Sequence, residues 1–210
     1  RKFGRVGLYR RDPDGTILGA DEAGELFGEH GPEPLADDFT LRAFRQRLRR
    51  RRGRLKSTLL DQSFVAGVGN IYADESLWRA RLHPLRSADS LNTDQERRLY
   101  QAVRAVMREA IDRRGSSVDD YTAPEGGGEM QEHLDVYQRT GLPCHRCGRP
   151  IRRIELNARG THFCSWCQRL PGADRTRSNL SLVRRARETA RRGRNWSDLG
   201  GPLNGEQRAH

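Results

Sequence analysis

Two Cys-x-x-Cys knuckles, Cys144-His-Arg-Cys147 and Cys164-Ser-Trp-Cys167, stand sixteen residues apart. Each knuckle offers two thiolates on a tight turn. A tetrahedral Zn²⁺ needs four such soft ligands at about 2.3 Å, so the two knuckles must meet. A hairpin brings them together, with Ile151–Leu156 and Gly160–Phe163 as its strands and Asn157-Ala158-Arg159 near its tip. The competing reading is two disulfides. No secretion signal is visible, and every cysteine sits in a paired Cys-x-x-Cys unit, so the spacing predicts one structural zinc ion. Four protein ligands leave no open position for a reactive water, so the site is structural. Its purpose would be to stiffen the tip so that Arg159 points at a partner. A solvated turn residue is an equal reading of Arg159 from spacing alone.

Charge suggests what the partner is. Over 210 residues the formal net charge is +11, with 39 Lys and Arg against 28 Asp and Glu. That balance fits a polyanion. No apolar run approaches the roughly 18–20 residues that span a bilayer, and no signal peptide is visible. Nucleic acid is therefore preferred over a membrane, and the cytoplasm is the expected compartment. Codon bias is the bland alternative, since only Lys2 and Lys56 are lysines. The chain begins with Arg1, not Met, which points to a fragment or a cut chain.

Residues 3–10 alternate like a strand, and Asp14-Gly15 supplies a turn. Gly31-Pro-Glu-Pro34 reads as a linker. A helix capped by Thr40 follows, with Leu41, Phe44 and Leu48 on one face and Gly53 at its end. A short helix lies around Ser57–Asp61, and Asn70 can cap another that runs to about Ala80. A long helix is expected over 94–114, with Thr93 and Glu96 as a capping box and Gly115 at its C-terminal cap. Residues 122–130 read as a mobile, Gly-rich acidic loop. From Gly172 onward the chain is polar and Arg-rich. Leu180, Leu182 and Val183 can mark a short helix there, and disorder is expected otherwise.

The second dense signal runs from Lys56 to Glu75. Gly67 and Gly69 permit close backbone approach just before a helix N-terminus, which favours anions. With Lys56 and Asn70 beside it, the turn reads as a phosphate cradle. An unliganded glycine turn is the alternative. Upstream, Arg42, Arg45, Arg47, Arg49–Arg52 and Arg54 crowd one short helix and would repel without a polyanion.

These signals, in this order, resemble the formamidopyrimidine-DNA glycosylase / endonuclease VIII family. The matching stretches are Arg1-Lys-Phe-Gly4, Gly31-Pro-Glu-Pro-Leu35, Leu59-Leu-Asp-Gln62, Gly67-Val-Gly-Asn-Ile-Tyr-Ala73, Val136-Tyr137 and Gly160-Thr-His-Phe-Cys164. They cover about residues 1–170 and favour the formamidopyrimidine branch. The resemblance implies a mainly α fold with a small β part. A helix–two-turn–helix DNA-binding domain (40–121) would follow the last strands of a β-sandwich (1–30) and a linker (31–39). A lesion-side loop and connector (122–139), a four-cysteine zinc finger (140–170) and a basic tail (171–210) would complete the chain.

It also implies roles. Lys56 and Asn70 match a phosphate clamp beside the lesion, and Arg51 and Tyr137 match further DNA contacts. Arg159 matches the hairpin-tip arginine that assists δ-elimination. Arg1 and Phe3 match residues that fill the gap left by the everted base. Ser116 and Ser117 fall in the lesion-recognition loop, where residues 124–130 depart from the usual pattern. The family's N-terminal proline nucleophile, the glutamate after it and an assisting lysine match nothing in this chain. The expected function is part of a bifunctional DNA glycosylase/AP lyase that excises oxidised purines, acting as a monomer on damaged duplex DNA. A truncated paralogue that binds without chemistry is the runner-up. A zinc ribbon of ribosome or transcription machinery explains the cysteines but not the Lys56–Asn70 segment.

Overall fold

The computed structural model describes Pro13, residues 30–115 and residues 130–192, with side chains of the last stretch to 185. Arg1, Phe3, Ser116, Ser117, the β-sandwich strands and most of the acidic loop lie outside the described residues. Four helices come first: α1 (Leu41–Arg49), α2 (Leu55–Leu60), α3 (Asn70–Arg79) and α4 (Thr93–Asp112). An antiparallel hairpin of β1 (Arg152–Leu156) and β2 (Arg159–Phe163) follows, and α5 (Arg177–Arg192) closes the described chain. None of these helices is long and apolar enough to cross a membrane.

Apolar spacing builds the helical unit. Phe44 and Leu48, one turn apart, bury their side chains in a core with Phe39, Leu55, Leu59, Phe64, Leu77, Leu99 and Val103. Phe44 meets Phe39 and Phe64 edge-on, with ring centroids 6.0 and 5.7 Å away. Thr40 Oγ1 caps α1 by accepting from the Ala43 N–H. The cap of α4 falls one residue before the expected one. Asn92 accepts from the Gln95 N–H, and the Gln95 side chain accepts from the Asn92 N–H. Glu96 is buried and faces α1, where Arg49 binds it at 2.7 and 3.0 Å and Arg45 at 3.1 Å.

That pairing gives part of the arginine run partners inside the chain. Arg45 and Arg49 share Glu96, Arg51 pairs with Asp61 at 2.8 Å, and Arg47 donates to the Phe64 and Ser63 carbonyls. Glu96 and Asp61 thus serve three arginines of the run, and Arg49 stays 60% exposed, so the helix keeps a cationic surface. The expected linker is also docked. Gly31 donates to the Gln62 carbonyl at 2.7 Å, and a Cβ there would stand 2.7 Å from the backbone of Ser63 and Phe64. Arg104 holds the Pro34 and Ala36 carbonyls, and Tyr100 the Phe39 carbonyl.

The hairpin pairs Arg152 with Phe163 and Leu156 with Arg159, so β2 starts one residue earlier than expected. Asn157 and Ala158 make its two-residue turn at φ 51° and 56°, the geometry of a type I′ loop. Beyond the zinc region the structure again departs from expectation. Residues 177–192 are one helix, longer than the short one expected around Leu180–Val183, and the rest of the expected tail, residues 193–210, lies outside the described residues. Leu182 and Val183 pack with Leu85, Ile154, Leu156, Leu170 and Phe163, and this apolar contact gives the sequence a reason to order.

His83 links the two parts. Its ring is buried edge-on against Phe163, 4.7 Å between centroids, and Nδ1 accepts from the Leu85 N–H at 3.1 Å. Burial pushes its pKa from 6.5 down to about 3. The unfolded chain therefore takes up the proton first. Stability from His83 is complete above about pH 6.5 and falls as pH drops toward 3, by up to about 1.4 kcal/mol per pH unit. His83→Asn retains an acceptor but cannot titrate. Denaturant titrations from pH 7 to pH 4 should show a shallower loss for this variant than for the native chain, and equal slopes would refute the assignment.

Candidate nucleic-acid interface and zinc site

The turn between α2 and α3 is built by its own side chains. Gln62 accepts from the Gly67 N–H and donates to the Leu60 and Val68 carbonyls. Asp61 accepts from the Ser63 N–H and hydroxyl. Gly67 takes φ +76°, which a side chain would resist. Gly69 is the N-cap of α3 and provides no side-chain cap, and nothing lies within 4 Å of where its Cβ would be. No side chain caps the first N–H groups of α3, which leaves them available to an anion.

Asn70 is the first residue of α3 and not its cap. Its Nδ2 donates 3.2 Å across to the Gly160 carbonyl, on the strand just past the hairpin tip. Lys56 Nζ donates to the same carbonyl at 2.9 Å and pairs with Asp74 Oδ1 at 2.7 Å. Both side chains of that pair are 0% exposed. Asp74 Oδ2 accepts from the His162 N–H at 2.8 Å. Burial lowers the Lys56 pKa; Asp74 opposes this, while the charges of Arg159 and Arg153 add to it. The sequence reads Lys56 as part of a phosphate cradle; here its amine is buried and engaged by Asp74 and the Gly160 carbonyl. It positions β2 beside α3. Arg159 is exposed at the tip beside this cluster. Arg51, by contrast, is tied to Asp61 and Ser63 on the α2–α3 turn.

Sequence reasoning passed over Glu75. This buried carboxylate accepts the backbone N–H groups of Asp135, Val136 and Tyr137, each at 2.9 Å. Burial raises its pKa, and the three N–H groups oppose the rise. The contacts fix Tyr137, whose ring stands 4.9 Å from that of His162. The signal in the sequence was Asp74-Glu75, two adjacent acids on a helix that also has to bury Ala73 and Leu77.

At the other end of the hairpin the four cysteines converge. Cys144, Cys147, Cys164 and Cys167 are free thiols whose sulfurs lie within 4.8 Å of one another. Cys144–Cys167 is 4.0 Å and Cys147–Cys164 3.5 Å. A tetrahedron with bonds of about 2.3 Å requires sulfur separations of about 3.8 Å, so the set fits Zn²⁺ and excludes disulfides at about 2.05 Å. Trp78 of α3 packs against this knuckle with Val136 and Ile151, and Arg146 lies over its indole, 3.6 Å from the centroid. Gln168 bridges the Cys164 N–H and the Leu82 carbonyl.

A helix–two-turn–helix unit whose open helix end faces a zinc-anchored hairpin tip defines a class of nucleic-acid-binding proteins. Two family models match accordingly: the formamidopyrimidine-DNA glycosylase H2TH domain over residues 30–122, and the zinc finger found in FPG and IleRS over residues 141–170. The formamidopyrimidine-DNA glycosylase of Herpetosiphon aurantiacus is 51% identical over 169 residues, covering 80% of this chain and 59% of the relative. That of Heliobacterium modesticaldum is 55% identical over 170 residues, with the same coverage. The crystal structure of MutM (Fpg) from Thermus thermophilus superposes with a TM-score of 0.69 at 47% identity, over 73% of this chain and 59% of that one. A complex of Lactococcus lactis Fpg with DNA containing an abasic site gives 0.67 at 39% identity, over 74% and 57%. The chain thus carries the H2TH domain (residues 30–122) and the zinc finger (residues 141–170) of the formamidopyrimidine-DNA glycosylase family. The chain spans about three-fifths of the length of these relatives.

Elemental analysis should find one zinc per chain. Chelation should speed amide exchange through residues 144–168 while α4 keeps its protection, because the ion closes the knuckles and the helical core stands on its own apolar contacts. Unchanged protection after the metal is removed would show that the thiols do not need it.

Proposed function

We propose that this chain binds damaged duplex DNA across the α3 N-terminus and the hairpin tip, as part of a bifunctional DNA glycosylase/AP lyase of base-excision repair. The substrates would be oxidised purines, 8-oxoguanine and formamidopyrimidines. The observation that carries the reading is the meeting at Gly160, where Lys56 and Asn70 bind one carbonyl and Arg159 stands next to it. A phosphate at the open helix end would be held by the α3 N–H groups and the Asn70 amide. Lys56 and Asp74 would keep the hairpin in register. Arg159 would stand over the sugar-phosphate and stabilise charge in δ-elimination, with Tyr137 beside it. The reading places the protein in the bacterial cytoplasm as a monomer.

Asn70→Ala should weaken binding to damaged and undamaged duplexes by similar factors, about tenfold, because a phosphate contact positions without reading sequence. Unchanged affinity at physiological salt would count against the interface. Residues 1–210 alone should bind an abasic duplex but not become covalently trapped to it by borohydride. Trapping needs an unprotonated amine at C1′, and the Lys56 amine is buried in an ion pair. Efficient cross-linking would mean that this chain carries its own nucleophile.

A further inference from the structure

The family models end at residue 170, yet the chain continues into α5, and α5 is tied to the site from a different side. Asn179, buried, donates to the Leu85 carbonyl at 3.2 Å and the Asp174 carbonyl at 2.8 Å. Its Oδ1 accepts from Arg54 Nε at 2.9 Å, while Arg54 Nη2 donates to Ser178 Oγ at 2.6 Å. Arg54 is the N-cap residue of α2, two positions before Lys56. Asp174 accepts from the Ser87 N–H at 3.1 Å, and Ser87 pairs with Arg54. One turn further, Leu182 and Val183 cover Ile154, Leu156 and Phe163 on the apolar face of the hairpin. The hairpin is thus gripped along β2 by Lys56, Asn70 and Asp74, and on its apolar face by α5.

We propose that α5 is a brace: by docking through Asn179, Leu182 and Val183 it fixes where Asn157–Arg159 stand relative to Asn70, and so a segment beyond the zinc finger sets the affinity of the site for DNA. The physical reason is that a two-stranded hairpin is marginal alone and needs a packed face to hold its position. The zinc ion secures the end away from the tip, and the Gly160 contacts secure one edge. Among the described residues, α5 closes the face that carries Ile154 and Leu156, together with Leu85 and Leu170. The DNA part of the proposal rests on the function proposed above; the bracing part does not.

The test uses the full chain with Leu182→Ser and Val183→Ser together, which undock α5 without changing charge, and Asn179→Ala as a milder second variant. Zinc content should stay at one per chain. Amides of residues 154–163 should exchange about tenfold faster in the double variant and less so in Asn179→Ala, while those of α4 stay unchanged. Affinity for a duplex containing a tetrahydrofuran abasic-site analogue should fall about tenfold, with the same dependence on salt. Hairpin amides that keep their protection while those of α5 lose theirs would overturn the brace. A reduced salt dependence would overturn it as well, because α5 would then be contacting phosphates itself. Faster hairpin exchange with unchanged affinity would remove the link to DNA. If the native chain does not bind the duplex, the proposed function fails while the exchange result still decides the brace.

Discussion

The Lys56 ammonium and the Asp74 carboxylate are both withdrawn from water, and the hairpin stands where it does because of them. Burying two charges costs several kcal/mol each, and Coulomb attraction offsets this only when the remaining donors and acceptors are also used. Here they are. Lys56 gives a second proton to the Gly160 carbonyl, and Asp74 turns its second oxygen to the His162 N–H. The pair is therefore a register device. It joins α2, α3 and β2 at a single point, and a hairpin slipped by one residue would present neither partner.

Other contacts keep the hairpin at that point. Trp78 seats the zinc knuckle on α3, and Glu75, next to Asp74, collects the backbone of residues 135–137. Successive residues Asp74 and Glu75 thus hold the strand and the connector, while Trp78, one turn on, holds the metal end. A ten-residue helix thus contributes to the anchoring of the β part at three points. Its own N-terminus has no side-chain cap. Stability is concentrated in the body of α3, and its polar end is left available for a ligand.

Much of this was legible in the sequence because local chemistry dictated it. The Cys-x-x-Cys spacing located the zinc site and the hairpin, Thr40 capped α1 as its position suggests, and the glycine turn sits where a helix begins. What the sequence did not reveal depended on tertiary neighbours. That Asp74, eighteen positions on, pairs with a buried Lys56 is one such feature. The partners of Arg45 and Arg49 were equally hidden, because Glu96 lies on a helix far along the chain. Thr93 looked a fair cap, but Asn92, a better acceptor at the preceding position, took the role. Residues 177–192 are polar enough to suggest disorder. Their order comes from two apolar side chains and one asparagine whose partners lie far back in the chain, on the hairpin and at Arg54.

The most direct test of the account is a double-mutant cycle on the central pair. Lys56→Met and Asp74→Leu should each destabilise the zinc-loaded chain by about 3–5 kcal/mol in denaturant titration, since each leaves a buried charge without its partner. The double variant should recover a large part of that loss in stability. It should still bind an abasic duplex less tightly than the native chain, because the hairpin has lost its register contact at Gly160. Single substitutions that cost little and add without coupling would contradict the claim that this pair sets the site.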